Sequence, residues 1–545
     1  MGIDRLFNTE TRKGVAWFGI DPPPDGRRAF EERGFVVTPC SVRDLYRPGF
    51  VEGLAAVIFT QNSAKLAGIA RDLKRHAARM LTYDCRVIIR TVRQPELDGQ
   101  PLVISVIDQL RIPTANLDVE DAEKLGKWQP THRGQAPLPH ARVYGPNVPW
   151  PDIANFMMEH RPGPAPSRTL VIEPDEERQR LSWAYDLLLR RAFWDCAGVH
   201  LKRMDDGHSG VSVYLAHAEL MKGQLGEWPL PYFVKIGDRR KVFDEYVKYE
   251  DNVDPYVPFH LGPHLIRERC CLGASSGVIV GDFVEESEGL AQCAREGRAG
   301  PAIACLFNRT LAGWHRFAQQ DEQESSQLAR RLLRRFPRMS ARLEPRLARA
   351  RELGAIRSLD ELRRLFQRCV STPVLVGPIH NDLHAGNVHV RATDAIVIDF
   401  AAHDRGPLLC DAATLEASLL VDGFREKGSG EPGAKAELDA TIRQWLESIE
   451  GLYDHVPLHA SLIHPNPKNP ACWFHACVRQ IRRYAWEMEL RPHQYAAALA
   501  LALLIKATKS LNVPEPEASR RAAAYVLAER VLLSAFDPRE GEYCI

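Results

Sequence analysis

At about 100–200 residues per domain, a chain of 545 residues has room for two to four domains and can bury its own cores. Hydrophobic residues make up 45% and charged residues 26%, which excludes the disordered, collagen-like and fibrous classes. Lys and Arg number 71 against 70 Asp and Glu, so a net charge of +1 provides no whole-chain field for a polyanion. An anionic partner would need a local patch.

Twelve Cys are too few for a disulfide scaffold, and the opening MGIDRLFNTETRKG lacks the apolar core of a signal peptide. A reduced, cytoplasmic chain is expected. The most apolar run, Ala496 to Ile505, is about half the roughly 20 residues of a membrane span. Lys506 closes it, so it reads as a buried helix, and no membrane partner is expected.

From Val15 to about Val92 the runs VAWFGI, FVVTP, AAVIFTQ and RVIIRTV alternate with longer mixed stretches, one of them the helical AKLAGIARDLKRHAARML. Strands separated by helices imply a parallel α/β sheet. The pattern resembles the flavodoxin-like receiver domains of two-component signalling. A receiver needs an Asp at the end of its third strand, whereas this strand ends Phe59-Thr60-Gln61-Asn62. Residues 1–160 are therefore expected to form a degenerate receiver-like α/β domain that docks or dimerises and accepts no phosphate.

Three Pro and a Gly within residues 161–167 disfavour helix and sheet alike. Residues 161–180 are read as a linker and helix start, with Asp175 to Ala197 at amphipathic helical spacing. Strand-like runs follow to about 286. Helical patterns dominate from 287 to 545, interrupted near 374–400.

That interruption carries the chemistry. Val376 to Phe400 reads VGPIHNDLHAGNVHVRATDAIVIDF: His380-x-Asp382, Asn387 five residues on, a strand, a turn, and a second strand ending in Asp399-Phe400. Such a hairpin brings a loop Asp, an Asn and a second Asp to one edge. Oxygens from Asn387 and Asp399 suit Mg2+, which takes few protein ligands and keeps phosphate oxygens and water for the rest. Asp382 is left to orient or deprotonate a hydroxyl. His380, the other candidate in the catalytic loop, is expected to brace it.

The ordered set H-x-D-x4-N, strand, turn, strand, D-F resembles the aminoglycoside phosphotransferase and choline kinase-like branch of the protein-kinase-like fold. Ala401, where protein kinases place the Gly of D-F-G, agrees with that branch. A closer resemblance, to the kinase-like ternary complex associated domain family, is suggested by LLLRRAFWDCAGVHLKRMDDGHSGVSVY, FVKIG, HNDLHAGN and DFAAHDRGPLLCDAATLE. It implies an α+β bilobal domain, with a β-rich N-lobe over 181–286 and a helical C-lobe over 287–545. It also implies ATP as cofactor beside Mg2+, a strand Lys, a Gly-containing phosphate loop and a hinge. Lys235 in YFVKIG is the lysine and Glu245 its partner, with Asp244 and Glu250 as rivals. Gly207, Ser209 and Gly210 make the phosphate loop, and Asp282 and Phe283 the hinge. Asp411 is expected to cap a helix.

The expected activity is γ-phosphoryl transfer from ATP to a hydroxyl of an unidentified small molecule or protein, in a signalling or defence setting. The alternative is a regulatory pseudokinase that binds nucleotide without transfer. Arg330 to Arg351 holds nine Arg and one Glu, a candidate site for an anionic partner that would repel cationic aminoglycosides.

Overall fold

The computed structural model describes residues 12–535 except 42, 45–46, 48–49, 62–84, 92–140, 145–146, 160–164, 176–180, 205–210, 222–229, 274–275, 285, 321–330, 370–372, 424–433, 455–459, 510–512 and 514–516. The helical stretch expected at 64–81 and the glycine loop at 207–210 lie outside the described residues. The chain forms two compact units, Met1–Tyr246 with Leu265–Phe283, and Val247–His264 with Val284–Ile545.

In the first unit, β1 (Gly14–Gly19), β2 (Val36–Cys40), β3 (Leu54–Gln61), β4 (Arg86–Thr91) and β5 (Ala141–Tyr144) form a five-stranded sheet in the order β2-β1-β3-β4-β5. Every pairing is parallel, in the order 2-1-3-4-5 typical of doubly wound sheets. The runs Val15–Phe18 and Ala55–Phe59 are buried throughout, as expected of parallel strands covered on both faces. Trp17 packs against Phe30 and Trp150 from the flanking helices Pro24–Glu31 and Trp150–Glu159.

A second sheet of this unit has the order β10-β11-β9-β8-β7-β6. Its strands are β6 (Val171–Pro174), β7 (Cys196–Arg203), β8 (Ser212–Leu220), β9 (Leu230–Asp238), β10 (Cys271–Leu272) and β11 (Ser276–Asp282). Pairing is antiparallel except for β6 on β7. The helix read at 175–197 is shorter, Trp183–Ala192, with Ser182 Oγ capping it by accepting the Tyr185 N–H at 3.3 Å. The chain turns after Phe193 and extends from Cys196 as β7. Strand β6 was not expected, because none of its residues is fully buried and its apolar signal is weak. On β9, Tyr232, Val234 and Ile236 are buried on one face, which places Lys235 on the other.

In the second unit, β12 (Glu288–Gly289), β15 (Val388–Arg391) and β16 (Asp394–Val397) form one small sheet. Strands β13 (Gln319–Gln320), β14 (Leu375–Ile379) and β17 (Asp404–Pro407) form another. The other described elements of this unit are helices. The apolar run at 496–505 lies in the buried helix Gln494–Thr508, packed against Leu409–Asp422 and Glu517–Ser534. Among the described residues no helix is long and apolar enough to cross a membrane.

A charged cluster ties Leu409–Asp422 and Gln494–Thr508 to the helix Cys472–Met488. Glu416, fully buried, accepts from Arg482 Nη2 at 2.7 Å, Arg482 Nε at 3.1 Å and the Tyr495 hydroxyl at 2.7 Å. Removing one member of such a pair strands a buried charge, at a cost of about 3–5 kcal/mol. Glu416→Ala is therefore expected to lower the unfolding free energy by that amount, read as a lower urea midpoint at unchanged slope. Glu416→Gln keeps an acceptor oxygen and should lose less.

Candidate functional site

Each unit holds one group of the candidate residues. In the first, Lys235 pairs with Val213 on β8 and Ile279 on β11, inside the sheet rather than at an edge. Its ammonium meets Glu245 Oε1 at 2.6 Å, with both side chains largely buried at 13% and 15% exposure. A lysine and a glutamate removed from water hold each other strongly and fix where the cation points. This separates Glu245 from its rival Asp244, whose exposed side chain lies 4.0 Å from Arg240. Asp282 ends β11 with its side chain exposed, and the Phe283 N–H donates to the Pro231 carbonyl at 3.3 Å. That amide of the expected hinge is thus engaged with the sheet.

In the second unit the loop His380–Asn387 lies between β14 and β15. His380 is fully buried, its Nε2 donates to the Ile398 carbonyl at 3.0 Å, and its ring packs on Phe400. A carbonyl only accepts, so Nε2 carries the proton and Nδ1 is bare. Burial holds the imidazole below its ordinary value. A neutral, buried ring spanning loop and hairpin braces them and has no access to solvent.

Asn387 is 5% exposed; its Nδ2 donates to the Asp382 carbonyl at 3.0 Å, and its own carbonyl accepts the Ile398 N–H at 3.0 Å. Strands β15 and β16 pair Val388 with Val397 and Arg391 with Asp394 across a two-residue turn, in which Ala392 has φ 56°. The register brings Asn387 beside the end of β16, from which Asp399 follows in the left-handed region at φ 64°. Asn387 uses its amide nitrogen for bracing, which leaves Oδ1, and Asp399 offers a carboxylate. This hard-oxygen donor set fits Mg2+.

The acids of the loop region are used differently. Asp404 pairs with Arg331. The carboxylate of Asp382 is half-buried and accepts no hydrogen bond among the described residues, while its backbone carbonyl accepts from His384 N and Asn387 Nδ2. The loop is thus held by its backbone and leaves the Asp382 carboxylate without a hydrogen-bond partner among the described residues.

Asp411 corrects the sequence reading. It lies in the first turn of Leu409–Asp422 but does not cap that helix. Its buried carboxylate accepts the backbone N–H groups of His380 at 2.7 Å and Asn381 at 2.9 Å. Two further contacts were not legible in the sequence: Arg335 donates to Asn381 Oδ1 at 2.8 Å, and the Ala385 N–H donates to Ser418 Oγ at 3.0 Å. All join segments about 30 or more residues apart, and no local spacing signals them.

Burial lifts the Asp411 carboxyl from the ordinary 3.8 to about 6, against the pull of the two N–H groups. A carboxyl raised on folding binds its proton more tightly in the native state. Its stabilising contribution is complete below the unfolded value and is lost as pH rises through about 6. Asp411→Asn is expected to flatten that part of the pH–stability curve. Asp411→Ala orphans both N–H groups, each costing about 1–3 kcal/mol, so its urea midpoint should fall well below that of the Asn variant.

Residues 271–450 match the model of the Phosphotransferase enzyme family. No curated protein matches the chain. Among solved structures, an amicoumacin kinase in complex with AMP-PNP, Ca2+ and Ami is similar at 13% identity and a TM-score of 0.35, over 61% of this chain and 87% of that one. Plasmodium vivax ethanolamine kinase is similar at 11% identity and a TM-score of 0.28, over 63% and 84%. Choline kinase from Cryptosporidium parvum Iowa II is similar at 10% identity and a TM-score of 0.30, over 64% and 91%. The matched stretch contains the whole loop from His380 to Asn387 and the hairpin ending in Asp399, and it is over these residues that the chain is similar to the phosphotransferase enzyme family.

Proposed function

We propose that this chain is an ATP- and Mg2+-dependent kinase that moves the γ-phosphoryl group to a hydroxyl acceptor. The observation that carries this reading is the state of Asp382: a half-buried carboxylate without a hydrogen-bond partner among the described residues, on a loop whose backbone is held by Asp411, Asn387 and Ser418. A carboxylate left free on a fixed loop can orient an acceptor hydroxyl and take its proton late in transfer. Lys235, kept in place by Glu245, is assigned to the α- and β-phosphates. Asn387 Oδ1 and Asp399 would hold Mg2+, which when bound offsets charge on the transferred phosphate. His380 is assigned to bracing. The glycine loop at 207–210, the hinge at 282–283 and the nearer kinship to the ternary complex associated domain family complete this reading.

The N-terminal parallel sheet is assigned to docking or dimerisation, as a receiver-like scaffold without phospho-acceptor chemistry. Near the end of β3, Thr60 is buried, donates to the Ile20 carbonyl at 3.0 Å and accepts from Trp17 Nε1 at 2.9 Å. Its hydroxyl is committed to joining β3 and β1.

The test pairs Mg-ATP thermal-shift titrations with ADP release across a panel of hydroxyl compounds and proteins. Asp382→Ala is expected to abolish transfer and keep the Mg-ATP shift, because its interaction is made mainly in the transition state. Asp399→Asn should weaken the Mg2+-dependent part of nucleotide binding. Nucleotide affinity that is equal in EDTA and in Mg2+ would count against the metal site. Full cellular function of Asp382→Ala together with loss of function in Lys235→Ala would favour the pseudokinase.

A further inference from the structure

We infer that the acceptor is an anion, a hydroxylated small molecule bearing carboxylate or phosphate, held by Arg331, Arg334, Arg335 and Arg338 at the edge of the catalytic loop. The inference rests on the phosphotransferase reading above and names its substrate class. Residues 331–335 are helical, so Arg331, Arg334 and Arg335 at spacings of three and four share one face. Two contacts show where that face points. Arg331 meets Asp404 at 2.6 Å, on the strand paired to β14, and Arg335 meets Asn381, the residue before Asp382, at 2.8 Å. Each guanidinium has five N–H donors, so these single contacts leave donors for a ligand. Arg334 and Arg338 are exposed and pair with no acid among the described residues.

Farther along the run, Arg342 is exposed and pairs with no acid among the described residues, whereas the last three arginines have protein partners. Arg346 is buried and donates to the Ala507 carbonyl, Arg349 binds Ser519 and Glu352, and Arg351 pairs with Glu344. Even with Asp321, Glu322 and Glu324 counted upstream, residues 321–351 carry nine arginines against four acids. Arg331, Arg334, Arg335 and Arg338 fall within eight residues of chain, anchored at Asp404 and at Asn381, the neighbour of Asp382. This short group is not the extended stripe by which a polyanion is tracked. Planar guanidinium groups suit carboxylate and phosphate oxygens, and the same charge disfavours a cationic acceptor.

The test uses the full chain with glycerol 3-phosphate as probe, and with glycerol and ethanolamine as its neutral and cationic counterparts. Binding is followed by calorimetry in Mg2+ and a non-hydrolysable ATP analogue. Saturable binding of glycerol 3-phosphate alone is expected, weakened at least about tenfold by Arg334→Glu or Arg338→Glu and largely kept by Arg334→Lys. The Mg-ATP thermal shift of each variant checks its fold. Equal binding of glycerol or ethanolamine, or indifference to charge reversal, overturns the inference. So does binding of a mixed-sequence RNA oligomer without binding of glycerol 3-phosphate. If the Mg-ATP shift persists in those cases, only the substrate class falls; if wild type shows no shift, the phosphotransferase reading falls and takes this one with it.

Discussion

The second unit is organised around one buried carboxylate. Asp411 accepts two consecutive backbone N–H groups, those of His380 and Asn381, from inside a helix that begins only two residues earlier. Two adjacent amides can aim at one carboxylate only if the chain bends sharply there, and Asn381 takes φ 65° to do so. Asn tolerates that region better than most residues, at a cost on the order of 1–3 kcal/mol. Asp382 follows directly after that bend and accepts no hydrogen bond on its carboxylate among the described residues. Asp382 keeps its carboxylate free because Asp411 does the holding.

The same division of labour recurs along the hairpin. Asn387 uses its amide nitrogen and backbone carbonyl to hold Asp382 and Ile398, and His380 fills the space between loop and Phe400. Asp399, like Asn381, sits in the left-handed region. Strained backbone at two acid-bearing turns is stable only where surrounding contacts over-determine it. Here those contacts are the β15–β16 ladder and the helix Leu409–Asp422.

The arginine segment shows how tertiary structure revises a charge pattern. Arg346 and Arg349 serve as internal ties and Arg351 pairs with Glu344 at the surface, whereas Arg331 reaches Asp404 on β17 and Arg335 reaches Asn381 in the loop His380–Asn387. Only Arg334, Arg338 and Arg342 stay exposed without a partner among the described residues. A run of nine like charges thus becomes a structural region and a small cationic edge.

The sequence alone determined what depends on neighbouring residues. The apolar run from Tyr232 to Gly237 put Lys235 on a strand, and the spacing from His380 to Asp399 announced a loop and hairpin. The four strands Gly14–Gly19, Val36–Cys40, Leu54–Gln61 and Arg86–Thr91 follow the apolar runs closely, since a short apolar run is a local signal. Tertiary structure decided the choice of Glu245 over Asp244, the role of Asp411 as an anchor, the Arg335–Asn381 contact and the pairing of β6 with β7. Each of these joins residues by direction and distance in space: Glu245 and Asp244 differ by about 100° around a helix, and Asp411 lies 31 residues from the amide it holds. Composition and spacing record which groups are available, and only the packed chain decides which of them meet.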